Sequence, residues 1–531
     1  MLAALLLDHP FPDDEPLLHT ADRMLTAGEA RAGVTELAQR LRAGDVRPGT
    51  AVAVRLPNSP ESVIAMTAIW SAGAVFVPVN AAAPAAEAER ALEAARPAAL
   101  VEPAPDGGLH VRHLDGAVRT YPDGTAFLTW TSGTTGTPKA ILHTHDGYLE
   151  LLDRVLGPLR GRGPSGRPPS PNLIPVSLAL NSGIYNALFG LRAGAALVIM
   201  DRFRPREFAD LLARFGIRST VLPPAAIVTL NASDVEALSP LRYVRSITAP
   251  LSPLHARRFT DRFGAFVLNS YGQAEVGEVI GWTAADAKAH PEKVGAAGRP
   301  LPGVAVRIAA PEGEIGPLWV RPPRMASGYA TGEQLADRID AEGFVDTGDL
   351  ARVDADGFVW IEGRAGDLIN RGGNKVFPEQ VEEVLRLSPA VAEAAVVGAP
   401  DDRLGEVPVA FVVDAPGAPP APDEALAKLC REHLVAYKVP VAFVVDAPGA
   451  PPAPDEALAK LCREHLVAYK VPVAFVVDAP GAPPAPDEAL AKLCREHLVA
   501  YKVPVAFHRV DALPRTEVGK LRRGDLVRRL A

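Results

Sequence analysis

The sequence predicts an α/β protein in two parts. A large N-terminal domain of α/β subdomains carries a small antiparallel β section, and a smaller, mobile α+β domain follows it. Three observations carry this expectation. Helix-like and strand-like segments alternate through the first 130 residues, short β-rich runs crowd residues 304–362, and "GRAGDLINRGG" breaks the rhythm with four glycines in eleven residues. The boundary is expected at that break, giving domains over 1–364 and 365–531.

The elements follow in order. "MLAALLL" is apolar but short, has no basic residue before it and runs into Asp8, so it reads as a helix or strand fragment and not as a leader or a span. "GVTELAQRLRAG" places Leu37 and Leu41 at helical spacing and closes at Gly44. "TAVAVRL" reads as a strand, "SVIAMTAIWSAG" as a helix and "AVFVPVN" as a strand; helices alternating with buried strands imply a mostly parallel sheet. The alternation returns in "ALVIM", "FRPREFADLLARFG" and "STVLPP". "VAVRI", "PLWV" and "GFVWIEG" are the short strands of the β section, and "PEQVEEVLRL" opens a new helix at Pro378.

Composition narrows the partners. The chain has 531 residues, 48% hydrophobic and 22% charged, with a formal charge of −8 and no long Lys/Arg run, so nothing points to nucleic acid or an anionic membrane. One 32-residue stretch, "VPVAFVVDAPGAPPAPDEALAKLCREHLVAYK", occurs three times without a difference, at 407–438, 439–470 and 471–502. Cys430, Cys462 and Cys494 are therefore one cysteine copied, which leaves no disulfide framework or metal-ligand spacing and fits a reducing cytoplasm. Each copy reads as a strand, a Pro-rich loop and an amphipathic helix running to its final lysine. In the first copy Leu426, Leu429, Cys430, Leu434 and Tyr437 share a face. A solenoid needs distinct capping repeats, which identical copies do not provide.

Chemistry concentrates in "FLTWTSGTTGTPKAILHTH". A β-rich run ends at Trp130 and a second apolar run starts at Ala140. Between them, Gly133 and Gly136 let several backbone N–H groups converge on one anion, Thr131, Ser132, Thr134 and Thr135 supply hydroxyls, and Lys139 adds a positive charge. This is a phosphate cradle, but not the nucleotide-triphosphatase loop, which needs Gly-Lys followed by Ser or Thr. In "NSYGQAE", Tyr271 before Gly272 offers an aromatic face, and Glu275 is a carboxylate suited to Mg²⁺ beside phosphates. Asp349 in "VDTGDL" can accept from paired hydroxyls.

With "GRAGDLINRGGNKVFPEQVEE" and "LPRTEVGKLRR" these motifs occur in an order, over nearly the whole chain, that resembles the adenylate-forming superfamily of acyl-CoA synthetases, coumarate-CoA ligases, luciferases and peptide-synthetase adenylation domains. The resemblance implies ATP and Mg²⁺, and a carboxylic acid activated to an acyl-adenylate with release of pyrophosphate. Transfer to coenzyme A would follow, with a phosphopantetheinyl carrier protein as the alternative acceptor and an inactive nucleotide- or acyl-binding homologue as the non-enzymatic alternative. It implies adenine at Tyr271, ribose at Asp349, ribose and phosphate at Arg364, and the catalytic cation at Lys520. It also places a hinge at Gly366 and a thiol channel at Gly372 and Gly373. Ala274 stands where a threonine is common in the family.

The acyl pocket, by the same resemblance, is built from "PVSLALNSGIYNALFGLRAGAALVIM", including Asn181, Ser182 and Gly183. "SLALNS" holds no carboxylate for an α-ammonium, and Ser177 and Leu178 stand where many CoA ligases carry an aromatic-His pair. A mostly apolar wall favours a fatty, alicyclic or aryl acid. Asn181 either bonds a polar acid or caps the helix that follows.

Overall fold

A computed structural model describes residues 1–83, 85–104, 108–131, 139–157, 169–249, 251–330, 335–401, 403–415, 419, 421–446, 473–476 and 506–509. Contacts divide the chain into two compact units. The first comprises Met1–Arg307, Trp319–Thr347 and Val353–Trp360; the second comprises Ile308–Leu318, Gly348–Arg352 and Ile361–Ala531. The α/β class expected from the alternation is the class observed.

In the first unit, strands Ala51–Val54, Val75–Pro78 and Ala99–Pro103 pair in parallel, and Val75–Pro78 continues in parallel to Thr125–Thr131. The sheet turns antiparallel toward its edges, where Thr125–Thr131 pairs with Lys139–Thr144 and Ala99–Pro103 with Leu109–His113. The helix around Leu37 and Leu41 spans Ala27–Ala43 and ends at Gly44 as expected. Its start lies further upstream, where Thr26 and Glu29 form a capping box that satisfies two of its first N–H groups. Helix Pro60–Ser71 is buried on nearly every side, and its Trp70 Nε1–H donates to the Ala126 carbonyl at 2.7 Å. An N-terminal helix, Ala4–Leu7, forms from the apolar opening.

A second sheet of the same unit positions the site. Strands Ser219–Leu222, Tyr243–Ser246 and Phe266–Gln273 run parallel, and the last folds back as an antiparallel hairpin on Gly277–Gly281. Strand Phe266–Gln273 therefore pairs through residues 266–269 on its parallel side and through 270–273 on its antiparallel side. Helix Asn181–Arg192 packs through Ile184, Ala187, Leu188 and Leu191 into the core that contains Trp70 and Phe127.

In the second unit, strands Val391–Asp401 and Gly405–Asp414 form a long antiparallel pair covered by helices Pro378–Leu385 and Asp423–His433. Leu426 and Cys430 are buried there, with Leu434 and Tyr437 packed at the margin. The repeat's helix ends five residues earlier than its sequence implies. Leu434 is extended and Ala436–Lys438 forms a single 3₁₀ turn. Arg371 Nη1 donates to the Tyr437 carbonyl at 2.8 Å and Lys438 Nζ to Gln380 Oε1 at 2.6 Å, bonds that draw the chain out of the helix. From the second copy, Ala442–Asp446 lies parallel to Gly405–Asp414; from the third, Val473–Val476 lies parallel to Ala506–Arg509. Among the described residues, no helix is long and apolar enough to cross a membrane.

Glu383 gives this unit a pH dependence. Burial is the main cause that raises its carboxyl to about 7; Arg386 opposes the shift, and Glu362, Glu379 and Glu382 add to it. A folded-state value above the unfolded one favours folding below the unfolded pKa and loses that contribution as pH rises through the folded value. Stability to urea is therefore expected to fall, by on the order of 2 kcal/mol, between about pH 4.5 and pH 7.5. Glu383→Gln should flatten that slope, and an unchanged slope in the variant would remove Glu383 as its source.

Candidate active site

The hairpin Phe266–Gln273/Gly277–Gly281 carries two of the expected residues. Gly272 is required by the pairing itself, because a Cβ there would lie 2.2 Å from the Gly277 carbonyl oxygen. Glu275 sits in the turn and is only 8% exposed. Its Oε1 accepts from the Tyr329 hydroxyl at 2.9 Å and from Arg338 Nη1 at 3.3 Å. Arg338 also donates to the Asp346 carbonyl and, through Nη2, to Gln273 Oε1 at 3.4 Å. Gln273 Nε2 in turn donates to the Thr347 carbonyl at 2.7 Å and to the Tyr271 hydroxyl at 3.3 Å. Tyr271 and Glu275 thus belong to one network, and burial with the Glu275 charge pushes the Tyr329 hydroxyl up to about 12.

Beside this turn is a small cavity of about 30 Å³. Ala274 and Gly277 line it from the hairpin, His143, Tyr148 and Arg154 from the strand and helix after the phosphate cradle, and Asn181 from the next helix. Asn181 does not cap that helix. The cap position is Leu180, and Asn181 Oδ1 accepts from the Tyr148 hydroxyl at 3.0 Å. Of the three expected pocket residues only Asn181 lines the cavity. Ser182 is buried, and a Cβ on Gly183 would fall 2.0 Å from the Ser177 carbonyl oxygen. The apolar residues of that stretch, Ile184, Leu188, Leu197 and Ile199 among them, belong to the core.

His143 is held neutral. Its ring stacks on Phe127 at 4.6 Å, Nε2 lies 2.7 Å from Thr129 Oγ1, and burial lowers its pKa to about 3. Behind the cavity, Glu278 is bonded by Arg245 and by the Tyr185 hydroxyl at 3.2 Å. None of His143, Tyr148, Arg154, Arg245, Glu278, Tyr329 or Arg338 was singled out from the sequence. They come from five separate stretches that only the folded chain brings together.

The phosphate cradle is the connection of a hairpin whose last paired positions are Thr131 and Lys139. Ser132, Gly133, Thr134, Thr135 and Gly136 lie outside the described residues, and so does Lys520. In the second unit, Arg364 Nε lies 2.6 Å from Asp349 Oδ1, and Asp349 is 5% exposed, so these two expected ligands form a direct ion pair. Gly366 lies in a 3₁₀ turn with open space where a Cβ would stand and no left-handed φ. Gly372 and Gly373, at φ +58° and +88°, are the two-residue turn of hairpin Ile369–Arg371/Asn374–Val376. Positive φ at both central positions is what a tight type I′ hairpin demands, so these glycines have a backbone reason of their own.

No group of three or more His, Cys, Asp or Glu side chains forms a metal cage among the described residues. Glu275 is a single carboxylate whose Oε1 is already engaged by Tyr329 and Arg338.

The model of the AMP-binding enzyme family matches residues 9–330, and that of the AMP-binding enzyme C-terminal domain matches 380–448 and 463–520. A sulfoacetate–CoA ligase of Cupriavidus necator is 30% identical over 478 residues, covering 80% of this chain and 90% of that protein. A feruloyl-CoA synthase of Amycolatopsis is 32% identical over 444 residues, covering 78% and 88%. The solved o-succinylbenzoate CoA synthetase of Bacillus subtilis, in complex with its acyl-adenylate intermediate, superposes with a TM-score of 0.73 at 25% identity, over 83% of this chain and 94% of that one. The chain belongs to the AMP-binding enzyme family.

Proposed function

We propose that the chain activates a carboxylic acid with ATP and passes the acyl group to coenzyme A. The observation that carries this is the hairpin turn that joins Tyr271 and Glu275 in one network and presents Ala274 to a cavity. A carboxylate oxygen of the acid attacks the α-phosphorus, the bond to the β-phosphate oxygen breaks, and pyrophosphate leaves. The thiol then attacks the acyl carbon, the bond to the AMP oxygen breaks, and the thiol proton passes to solvent. In this reading Tyr271 stacks on adenine, the loop Thr131–Lys139 cradles the phosphates, and the Asp349–Arg364 pair opens to the ribose. Magnesium held by Glu275 would neutralise charge on the phosphates.

Lys520 supplies the mobile positive charge for the first half-reaction. We place the functional division at 364/365, with rotation about Gly366 exchanging one face of the C-terminal domain for another. The acid is read as fatty, alicyclic or aryl. The relatives named above act on acids as different as sulfoacetate and ferulate, so their names do not choose among these. A reducing cytoplasm suits the buried thiol of Cys430.

Acid-dependent exchange of pyrophosphate into ATP, followed by CoA thioester formation, is the expected activity. It should be screened in the whole chain and in a form lacking residues 439–502. Absence of exchange across a broad panel of acids, with nucleotide still bound, would make the chain a binding protein. Adenylate that loads a carrier but not CoA would make the carrier the acceptor. Lys520→Ala should cut exchange by about 10²-fold or more with ATP affinity nearly intact, and full exchange in the variant would sink its role. Gly366→Ala should leave stability equal or higher by about 0.5 kcal/mol, since its conformation needs no glycine. If Gly366 is the hinge, thioester formation slows more than adenylation; equal effects on both would remove the hinge.

A further inference from the structure

We propose that the cavity beside the hairpin turn selects a short acid carrying a second anionic group, a dicarboxylate or a sulfo-carboxylate, and that Arg154 is the side chain that reads that group. The inference rests on the ligase reading above and replaces its apolar acid with a dianionic one.

Arg154 projects from helix His145–Leu156, and its side chain is 2% exposed. Among the described residues, neither its Nε nor its Nη1 has a hydrogen-bond acceptor. Glu150 Oε2 forms an ion pair with Nη1 at 3.7 Å, too long for a hydrogen bond, so the charge has a neighbour but the N–H groups are left unmet. The other carboxylate near it, Glu278, is engaged by Arg245 and Tyr185. Guanidinium keeps its charge in proteins and buried donors are normally bonded, so a buried Arg154 with two unmet N–H positions calls for an acceptor.

The cavity supplies the place. Arg154 lines it, Arg324 lines it as a second cation, and no carboxylate does among the described residues. Asn181, whose Oδ1 accepts from Tyr148, adds an amide NH₂ donor group to the same wall. His143, the titratable ring on the wall, is held neutral and adds no competing charge. Ala274 marks the end nearest Glu275, where the reacting carboxylate lies on the ligase reading. The fork of a guanidinium matches the planar oxygens of a carboxylate, and a sulfonate presents the same acceptor pair. An apolar chain end would leave both arginines facing hydrocarbon.

The test compares pyrophosphate exchange for length-matched acids: propanoate and butanoate against butanedioate, pentanedioate and 3-sulfopropanoate, with benzoate and cyclohexanecarboxylate as apolar references. The dianionic acids should show a kcat/KM at least ten-fold above their monoanionic partners. R154M should lower that ratio at least ten-fold, mainly through KM, and R154K should retain part of it. Thermal unfolding checks that each variant is folded, and R154K serves alone if R154M is not. Equal use of the two acid classes by the native chain, or an unchanged ratio in a folded variant, would overturn the inference while leaving the ligase standing. Failure of every acid to support exchange would overturn both.

Discussion

The site hangs on a buried ion pair. Arg245 stands on strand Tyr243–Ser246 and Glu278 on Gly277–Gly281, and the strand that carries Tyr271 runs between them. Their side chains are 12% and 8% exposed, so the charges have left water and depend on each other. Tyr185 adds a hydroxyl to the same carboxylate and brings in the helix that begins at Asn181. One carboxylate therefore fixes a strand, a hairpin arm and a helix, whose ends meet at the cavity. Leaving either charge alone in such surroundings costs about 3–5 kcal/mol, far more than a surface pair is worth. The hairpin turn inherits its position from that constraint.

Everything polar at the turn follows from where the backbone is forced to go. Gly272 lets the two hairpin strands close, which puts Ala274 on the cavity and swings Glu275 toward Tyr329 and Arg338. Arg338 spends its donors on a carboxylate, a carbonyl and an amide oxygen and so joins residues 273, 275 and 346, which no sequence motif connects. The hydrogen bonds are of ordinary length, and their effect is orientation: Glu275 is held in the turn and cannot rotate into solvent.

The sequence carried the alternation of helices and strands well, because burial on one face or both leaves a periodicity that local inspection detects. Gly44, Pro60 and Pro378 mark real helix ends for reasons of local backbone chemistry. Among the motif residues, Asp349 pairs directly with Arg364, and Tyr271 is joined to Glu275 through Gln273 and Arg338. Non-local burial was not legible. Ile184, Leu188, Leu197 and Ile199 of the stretch expected as a pocket wall are in the core, while the cavity beside the hairpin turn is lined by His143, Tyr148 and Arg154, which follow the phosphate loop. A helical face of Tyr148, Leu151 and Arg154 at spacings of three was the available signal, and a single arginine on a buried stripe was its anomaly. Gly372 and Gly373 carry a backbone signal as well, since a Gly-Gly between short β runs already implies a hairpin turn before any ligand is invoked.

The triplicated segment acquires a physical meaning from strand pairing. Val409 pairs with Ala442 and Val473 with Ala506, and both registers join residues 33 apart. In the first copy a strand, helix Asp423–His433 and the next copy's strand thus close a parallel β–α–β unit, the form that a parallel connection requires. In a chain with a single copy the second strand of that unit would be Ala506–Arg509, since "VPVAF" occurs there too and leads into "LPRTEVGK". Here Ala442–Asp446, which shares only Ala-Phe with Ala506–Arg509, lies in that place beside Gly405–Asp414. Because the copies are identical through "VPVAFVVDAP", sequence alone gives one little advantage over another at this edge. His508 and Arg509 stand where the copies carry two valines, so side-chain identity separates the final segment from the copies but not the copies from one another.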